Sequence, residues 1–256
     1  TNVRSNGKIA MKLDEGEALV GVKMCTPDQD ILLATKYGKC IRFQASDVRE
    51  FAGRTSTGVR GIKLGKDEVI SISILDHVSF SIEERDAYLR MSRQRRGQSD
   101  DEFVPEKTTE VVPQITLSEE RYAELAAQEQ FILTASNRGF GKRTSAYEYR
   151  ITNRGGSGLT NMNLTAKNGY VVGSFIADGR DDVVLVTDGG QLIRFGVSDV
   201  RIAGRATQGV TLFRIDKVET VVSIARVAYE EVDLDPAEST QEVPDVADDQ
   251  PALIAE

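Results

Sequence analysis

Tryptophan is absent from the 256 residues, histidine occurs once, at His77, and cysteine twice, at Cys25 and Cys40. With His77 far from both thiols, soft ligands are too few for a structural zinc site. The two thiols read as reduced, partly buried groups of a cytosolic protein. No run of eighteen apolar residues and no charged-then-apolar leader occurs, so neither a membrane span nor export is expected. The first residue is Thr1 rather than Met, which reads as a fragment or a processed product. Catalytic signatures are equally scarce. Gly155, Gly156 and Gly158 are not followed by the Lys and helix of a phosphate-cradling loop. Ser-His-Asp chemistry would have to use His77, isolated in an acidic junction. No enzymatic activity, cofactor or metal is expected of this chain itself.

Positive charge is scarce only in places. The formal net charge is −8, yet residues 229–256 hold ten acidic side chains and no Lys or Arg. Residues 76–130 hold thirteen acidic against seven basic. What remains, residues 1–75 and 131–228, has twenty-five basic against seventeen acidic side chains and is +8. The sign of the total therefore does not exclude a polyanionic partner. The acidic end, with Pro236, Pro244 and Pro251, reads as a solvated, disordered tail and a competitor for that basic surface.

An internal repeat organises the rest. ILLATKYGKCIRFQASDVREFAGRTSTGVRGIKL from Ile31 is matched, with one deletion, by VVLVTDGGQLIRFGVSDVRIAGRATQGVTLFRI from Val183. A third copy, FILTASNRGFGKRTSAYEYRITNRGGSGLTNMNL, starts at Phe131, and Gly7 followed by KIAMKL is the second half of a fourth. The period is about fifty residues, in the range of propellers and related arrays. Short Val, Ile, Leu and Thr runs punctuated by Gly read as strands, in the second copy near residues 31–35, 39–43, 59–64 and 69–75. Tyr37-Gly38, Arg138-Gly139 and Asp188-Gly189 supply hairpin turns. The expected fold is all-β and propeller-like, with four-stranded antiparallel blades of about 50 residues that stack face to face.

The expected boundaries are a half-blade at 1–24, blades at 25–75, 131–177 and 178–228, an insertion at 76–130 and the tail at 229–256. In the insertion, Ser81 and Glu84 read as a capping box opening a short helix with Ala87, Tyr88 and Met91. A second helix is expected from near Ser118 to Gln128, with a polar loop at 98–109 between them.

Arginine recurs at three equivalent places per repeat: Arg42, Arg143 and Arg194; Arg49, Arg150 and Arg201; Arg54, Arg154 and Arg205. Arg60 and Lys142 complete the candidate set. The guanidinium fork suits phosphate oxygens, so blades around an axis would present a periodic basic strip to a curved duplex. The competing reading pairs some of these arginines locally with Asp47, Glu148 and Asp199, which also recur.

GRTSTGVRGIKL, GRATQGVTLFRI and TDGGQLIRF resemble the blade motifs of the DNA gyrase A C-terminal domain family, over nearly all of residues 1–75 and 131–228. The resemblance implies a β-pinwheel, six-bladed in the whole domain, whose outer rim wraps double-stranded DNA and supports ATP-dependent negative supercoiling. Residues 1–24 would be the last half of the third blade. It further implies ATP and Mg on other parts of a type II topoisomerase, and partnership with the N-terminal part of gyrase A and with gyrase B as A2B2, in the bacterial cytoplasm at the nucleoid. The family's Gln-Arg-Arg-Gly-Gly-Lys-Gly box belongs to the first blade. Gln94, Arg95, Arg96 and Gly97 reproduce four of its letters, but inside the insertion. The family's catalytic tyrosine, in an Ala-Ala-Met-Arg-Tyr-Thr context, has no counterpart here. Two alternatives stand beside this reading: the related C-terminal domain of topoisomerase IV, and a propeller that binds proteins, which the missing Trp and Gly-His to Trp-Asp signature disfavour.

Overall fold

The computed structural model describes residues 7–98, 115–216 and 218–230. The loop expected at 98–109 lies outside the described residues from 99 on, and the acidic tail from 231 on.

The second repeat forms β1 (Asp30–Thr35), β2 (Lys39–Gln44) and β3 (Val69–Leu75). β1 and β2 are an antiparallel hairpin with Leu32 opposite Arg42, and β3 pairs with the other edge of β1. Gly38 makes the tight turn at φ +77°. The third repeat gives β4 (Phe131–Ser136), β5 (Phe140–Ser145), the two-residue β6 (Leu159–Thr160) and β7 (Val171–Ile176). The fourth gives β8 (Asp182–Thr187), β9 (Leu192–Gly196), the two-residue β10 (Val210–Thr211) and β11 (Val221–Val227). A single 3-10 turn follows each hairpin, at Ala45–Asp47, Ala146–Glu148 and Val197–Asp199.

The fold is an all-β pinwheel of antiparallel sheets, but one repeat does not make one sheet. The sheets run β3-β1-β2-β6, β10-β5-β4-β7 and β11-β8-β9. The fourth strand of the first sheet comes from the third repeat, with Lys39 opposite Thr160 and Cys40 opposite Leu159. That of the second comes from the fourth repeat, with Gly141 opposite Val210. The strand expected at 59–64 is absent. Its counterparts pair with the hairpin of the repeat before, and residues 59–64 have no such hairpin among the described residues. A bare strand edge is thereby covered by the next repeat rather than by its own.

Apolar faces stack across the same seams. Leu32, Ala34, Cys40 and Leu75 of the second repeat pack against Ile132, Ala146 and Tyr149 of the third. Leu133 and Ala177 pack against Val183, Val197 and Val200 of the fourth. Burial there pushes the Cys40 thiol up to about 12, whereas Cys25 is exposed rather than partly buried.

The insertion forms α1 (Ile82–Arg95) and α2 (Glu119–Ala127). Both halves of the Ser81–Glu84 capping box are present, and the Ser118 hydroxyl accepts from Arg121 N–H. Ala87, Tyr88 and Leu125 bury against Tyr147 of the third repeat, whose ring meets Phe80 and Tyr88 edge-on. Arg95 is paired with Glu119 and Arg96 with Glu129, while Gln98 Nε2 donates to the Ile202 carbonyl. The two arginines of the four-letter look-alike thus pair within the insertion, Arg96 also lying 5.5 Å from the Phe131 ring, and it is the following Gln98 that reaches the fourth repeat.

Gly158 carries the seam geometry: φ is +70°, and a Cβ there would strike the Cys40 carbonyl oxygen and crowd Ile62. Gly65 has a similar φ, +65°, with open space around it. Gly65→Ala should cost about 1 kcal/mol from the left-handed backbone alone. Gly158→Ala should cost at least about 2 kcal/mol, because backbone must also move. Urea unfolding of both variants measures the difference; equal losses would contradict the seam packing.

Candidate nucleic-acid interface

The three arginine positions, alike in sequence, have three different surroundings. Arg42 at the first position is 3% exposed, with Nε and Nη2 donating to Asp30 Oδ2 at 2.9 and 2.6 Å and Nη1 to the Ala146 carbonyl at 2.9 Å. Asp30 is fully buried and also meets His77 Nδ1 at 3.1 Å. Arg143 reaches forward in the same way, donating to the Val200 and Ser198 carbonyls at 2.7 and 3.0 Å. Burial and the nearby Arg96 cation both lower its pKa. Arg194 pairs with Asp182 at 2.6 Å and is exposed, no further repeat following it among the described residues. This position is a clamp onto the next repeat, so the expectation that Arg42 lines an outer rim needs correction, whereas Arg143 is half-buried.

The third position clamps backward. Arg154 donates to the Asp47 and Arg60 carbonyls at 3.0 and 3.2 Å. Arg205 donates to the Glu148 carbonyl at 3.1 Å and to that of Thr160, and its own N–H reaches the Glu148 carboxylate at 2.6 Å. Asp47 and Glu148, expected as local partners, thus meet third-position arginines from the next repeat, largely through their backbones. Arg54 and Arg60 are exposed. Lys142 is fully buried: Nζ donates to the Gly204 and Arg205 carbonyls at 2.7 and 2.5 Å. Burial lowers its pKa and Glu148 opposes the shift. Its place on a surface track is likewise corrected; it is an interior strut between the third and fourth repeats.

Only the second position is exposed in every repeat. Arg49, Arg150 and Arg201 each stand two residues beyond a 3-10 turn, where the chain leaves the hairpin. Arg49 lies over the Phe51 ring at 4.5 Å, and the Arg201 carbonyl accepts from Arg143 N–H at 2.9 Å. The clamps add charge to this surface. Arg143 and Arg154 donate to carbonyls, which occupy donors without cancelling a unit charge, so both still contribute to the local potential. Arg42, by contrast, is neutralised by Asp30 inside the core.

Asp30 escaped the sequence reading, although a signal was present. Asp30 and Asp182 stand twelve residues before Arg42 and Arg194, whereas Phe131 holds that place before Arg143 and lies 5.9 Å from its guanidinium. Among the described residues no group of three or more His, Cys, Asp or Glu side chains could hold a metal, and no helix is long and apolar enough to cross a membrane.

The family model "DNA gyrase C-terminal domain, beta-propeller" matches residues 2–26, 29–76, 130–178 and 181–228, passing over the insertion. The DNA gyrase A protein of Granulibacter bethesdensis is 52% identical over 87% of this chain and 25% of its own length. That of Rickettsia bellii is 47% identical over 88% and 25%, and that of Escherichia coli 34% identical over 91% and 21%. The chain thus spans about a quarter of the length of the curated relatives it matches. A solved structure of a DNA gyrase A C-terminal domain superposes with TM-score 0.61 at 19% identity, covering 87% of this chain and 59% of that one. A C-terminal domain of DNA topoisomerase IV gives 0.60 at 18%, covering 85% and 52%. At such identities the two structures establish the fold.

The split between clamp and surface positions is measurable in stability. Arg42→Ala leaves the Asp30 carboxylate buried without its main partner and should cost about 3–5 kcal/mol. Arg49→Ala should stay within about 0.5 kcal/mol. Chemical denaturation of both variants decides it, and an Arg42→Ala protein of unchanged stability would contradict the clamp.

Proposed function

The chain belongs to the DNA gyrase C-terminal domain, beta-propeller family, and from that premise we propose that it binds and wraps duplex DNA through phosphate contacts, without reading base edges. Arg49, Arg150 and Arg201 are the principal contacts, and Arg54, Arg60 and Arg194 extend them. One observation carries the reading: of the three repeated arginine positions, the second is exposed in every repeat, on repeats held at fixed separation by the other two. Exposed guanidinium forks at regular intervals suit a bent polyanion, whose backbone and deformability they would follow. Half-buried guanidinium groups bonded to carbonyls, Arg143 and Arg154, add a long-range attraction without direct contact.

The parent enzyme in this reading is a gyrase, and the wrapped segment is presented to the N-terminal part of gyrase A and to gyrase B for ATP-dependent negative supercoiling in the bacterial cytoplasm. Identities of 34–52% to gyrase A proteins favour this over topoisomerase IV. The chemistry of strand passage belongs to other parts of such an enzyme, where ATP and Mg would act.

Binding should weaken steeply with salt, with a log-log slope of roughly −0.9 per phosphate contacted. Replacing Arg49, Arg150 and Arg201 together by Ala should shallow that slope by roughly 0.9 for each arginine removed. Fluorescence anisotropy on two duplexes of unrelated sequence, between low and physiological salt, measures it. A flat salt dependence, or a triple variant that binds like the parent, would end the proposal.

A further inference from the structure

Each sheet has an inner and an outer edge. β7 lies against both β3 and β11, so the last strands of the repeats converge, and β2 and β5 with their donated strands lie at the periphery. β2 starts at Lys39 in the hairpin turn and ends at Gln44 before the 3-10 turn, beyond which Arg49 stands. Its six residues set the two ends of the blade about 20 Å apart. The proposed phosphate contacts therefore occupy one end of the periphery, and the hairpin turns occupy the other.

That other end is basic in the second and third repeats. Residues 36–39, 63–68, 137–140 and 161–170 hold six cations against two acids. Hydrogen bonds gather these segments: Lys36 N–H donates to the Glu68 carbonyl at 3.0 Å, Asn161 N–H to that of Gly38 at 2.7 Å and Val171 N–H to that of Lys36 at 2.9 Å. Lys167 continues the surface, its amine 5.2 Å from the Phe140 ring at the third repeat's hairpin turn. Lys39, Lys63, Lys66 and Lys167 are exposed, and none of them is in an ion pair among the described residues. Asn163 and Arg214, which hold the place of Lys63 beside closed seams, are exposed as well. Both acids are engaged elsewhere: Glu68 pairs with Lys36 at 2.6 Å, and Asp67 accepts from the Thr35 hydroxyl at 2.6 Å and from Tyr37 N–H at 3.0 Å. The same end of the fourth repeat, residues 188–191 and 212–220, holds two cations against three acids, Asp188, Asp216 and Glu219.

We propose that the duplex contacted by Arg49, Arg150 and Arg201 is held by its second backbone at Lys39, Lys63, Lys66 and Lys167, and that this second grip stops before the fourth repeat. The inference rests on the proposed function and extends it from one line of phosphate contacts to two. The backbones of B-DNA face each other across a major groove about 12 Å wide, and long lysine and arginine side chains cover the remainder of the distance between the blade ends. An ammonium is a point charge on a flexible stem, so it holds a phosphate without fixing its orientation. Such contacts suit a polymer that bends as it is followed. On the second and third repeats the duplex is fastened along both backbones. At the fourth, where acids outnumber cations at the hairpin end, it is fastened along one and leaves the surface more readily.

Lysine acetylation of the whole chain, with and without a mixed-sequence duplex and read by mass spectrometry, tests the inference. The duplex should slow modification of Lys39, Lys63, Lys66 and Lys167 several-fold and leave Lys23, exposed in the first half-repeat, unchanged. Unaltered rates at Lys39 and Lys66, or equal protection of every lysine including Lys23, would overturn it. Lys39→Gln, Lys66→Gln and Lys167→Gln together should keep the parent's urea midpoint, all three being exposed, and shallow the salt slope by roughly 0.9 per lysine. A lysine variant with the parent's slope, beside an arginine variant that loses its share, would sink the second grip and leave the proposed function standing. Lysine protection beside an unchanged arginine variant would overturn both. No energy transfer is expected between duplexes carrying donor and acceptor dyes separately. Transfer that disappears in the lysine variant would count against the inference, since the lysines would then hold a second duplex.

Discussion

Backbone carbonyls at the seams between repeats are the constraint on which everything else here depends. A three-stranded sheet from one repeat has a bare edge beside β2 or β5, and a two-residue strand of the next repeat closes it. Two residues are too few to hold alone. Guanidinium groups bind the same seams from both sides, Arg143 reaching forward to Ser198 and Val200, Arg154 and Arg205 backward to the carbonyls after the preceding hairpin. With five donors in a rigid fork, one arginine bonds more than one carbonyl of a neighbouring repeat at once.

This arrangement ties fold to function through spacing. Because each seam is made the same way, the 3-10 turn after each hairpin returns in the same place, and the exposed arginine beyond it returns with it. In the proposed function, a ligand repeating along its length, such as a duplex backbone, would meet a surface repeating along its own. Sequence-independent binding then needs no base contacts, only charge and a curvature the polymer can follow. The helical insertion touches both sides of the seam between the third and fourth repeats: it packs on Tyr147 and reaches the Ile202 carbonyl through Gln98.

Much of the fold is legible in the sequence because local chemistry decides it. The hairpin glycines, the Ser81–Glu84 capping box and the Ser118 helix start depend on neighbours a few residues away. The fourth strand is misassigned because residues 59–64 have the apolar pattern of a strand, and pattern does not say which hairpin will receive it. The arginines mislead for a related reason. A period identifies equivalent positions but not their direction, and only contacts spanning about a hundred residues, such as Arg42 to Ala146, show that one set points into a seam. The Asp30–Arg42 pair is hidden by expecting acids near the 3-10 turn, when the partner sits across the hairpin on the adjacent strand.

If the proposed function holds, the repeated cations divide into those that mainly hold blades and those that mainly contact phosphate, so the most direct measurement scores both properties on the same variants. Arg143→Ala and Arg205→Ala, beside Arg150→Ala and Arg201→Ala, should be assayed for unfolding free energy and for the salt slope of duplex binding. The first pair should lose stability with a nearly unchanged slope, and the second should keep stability while the slope shallows. If all four lost both together, or if the pairs exchanged behaviour, the division of roles would be wrong.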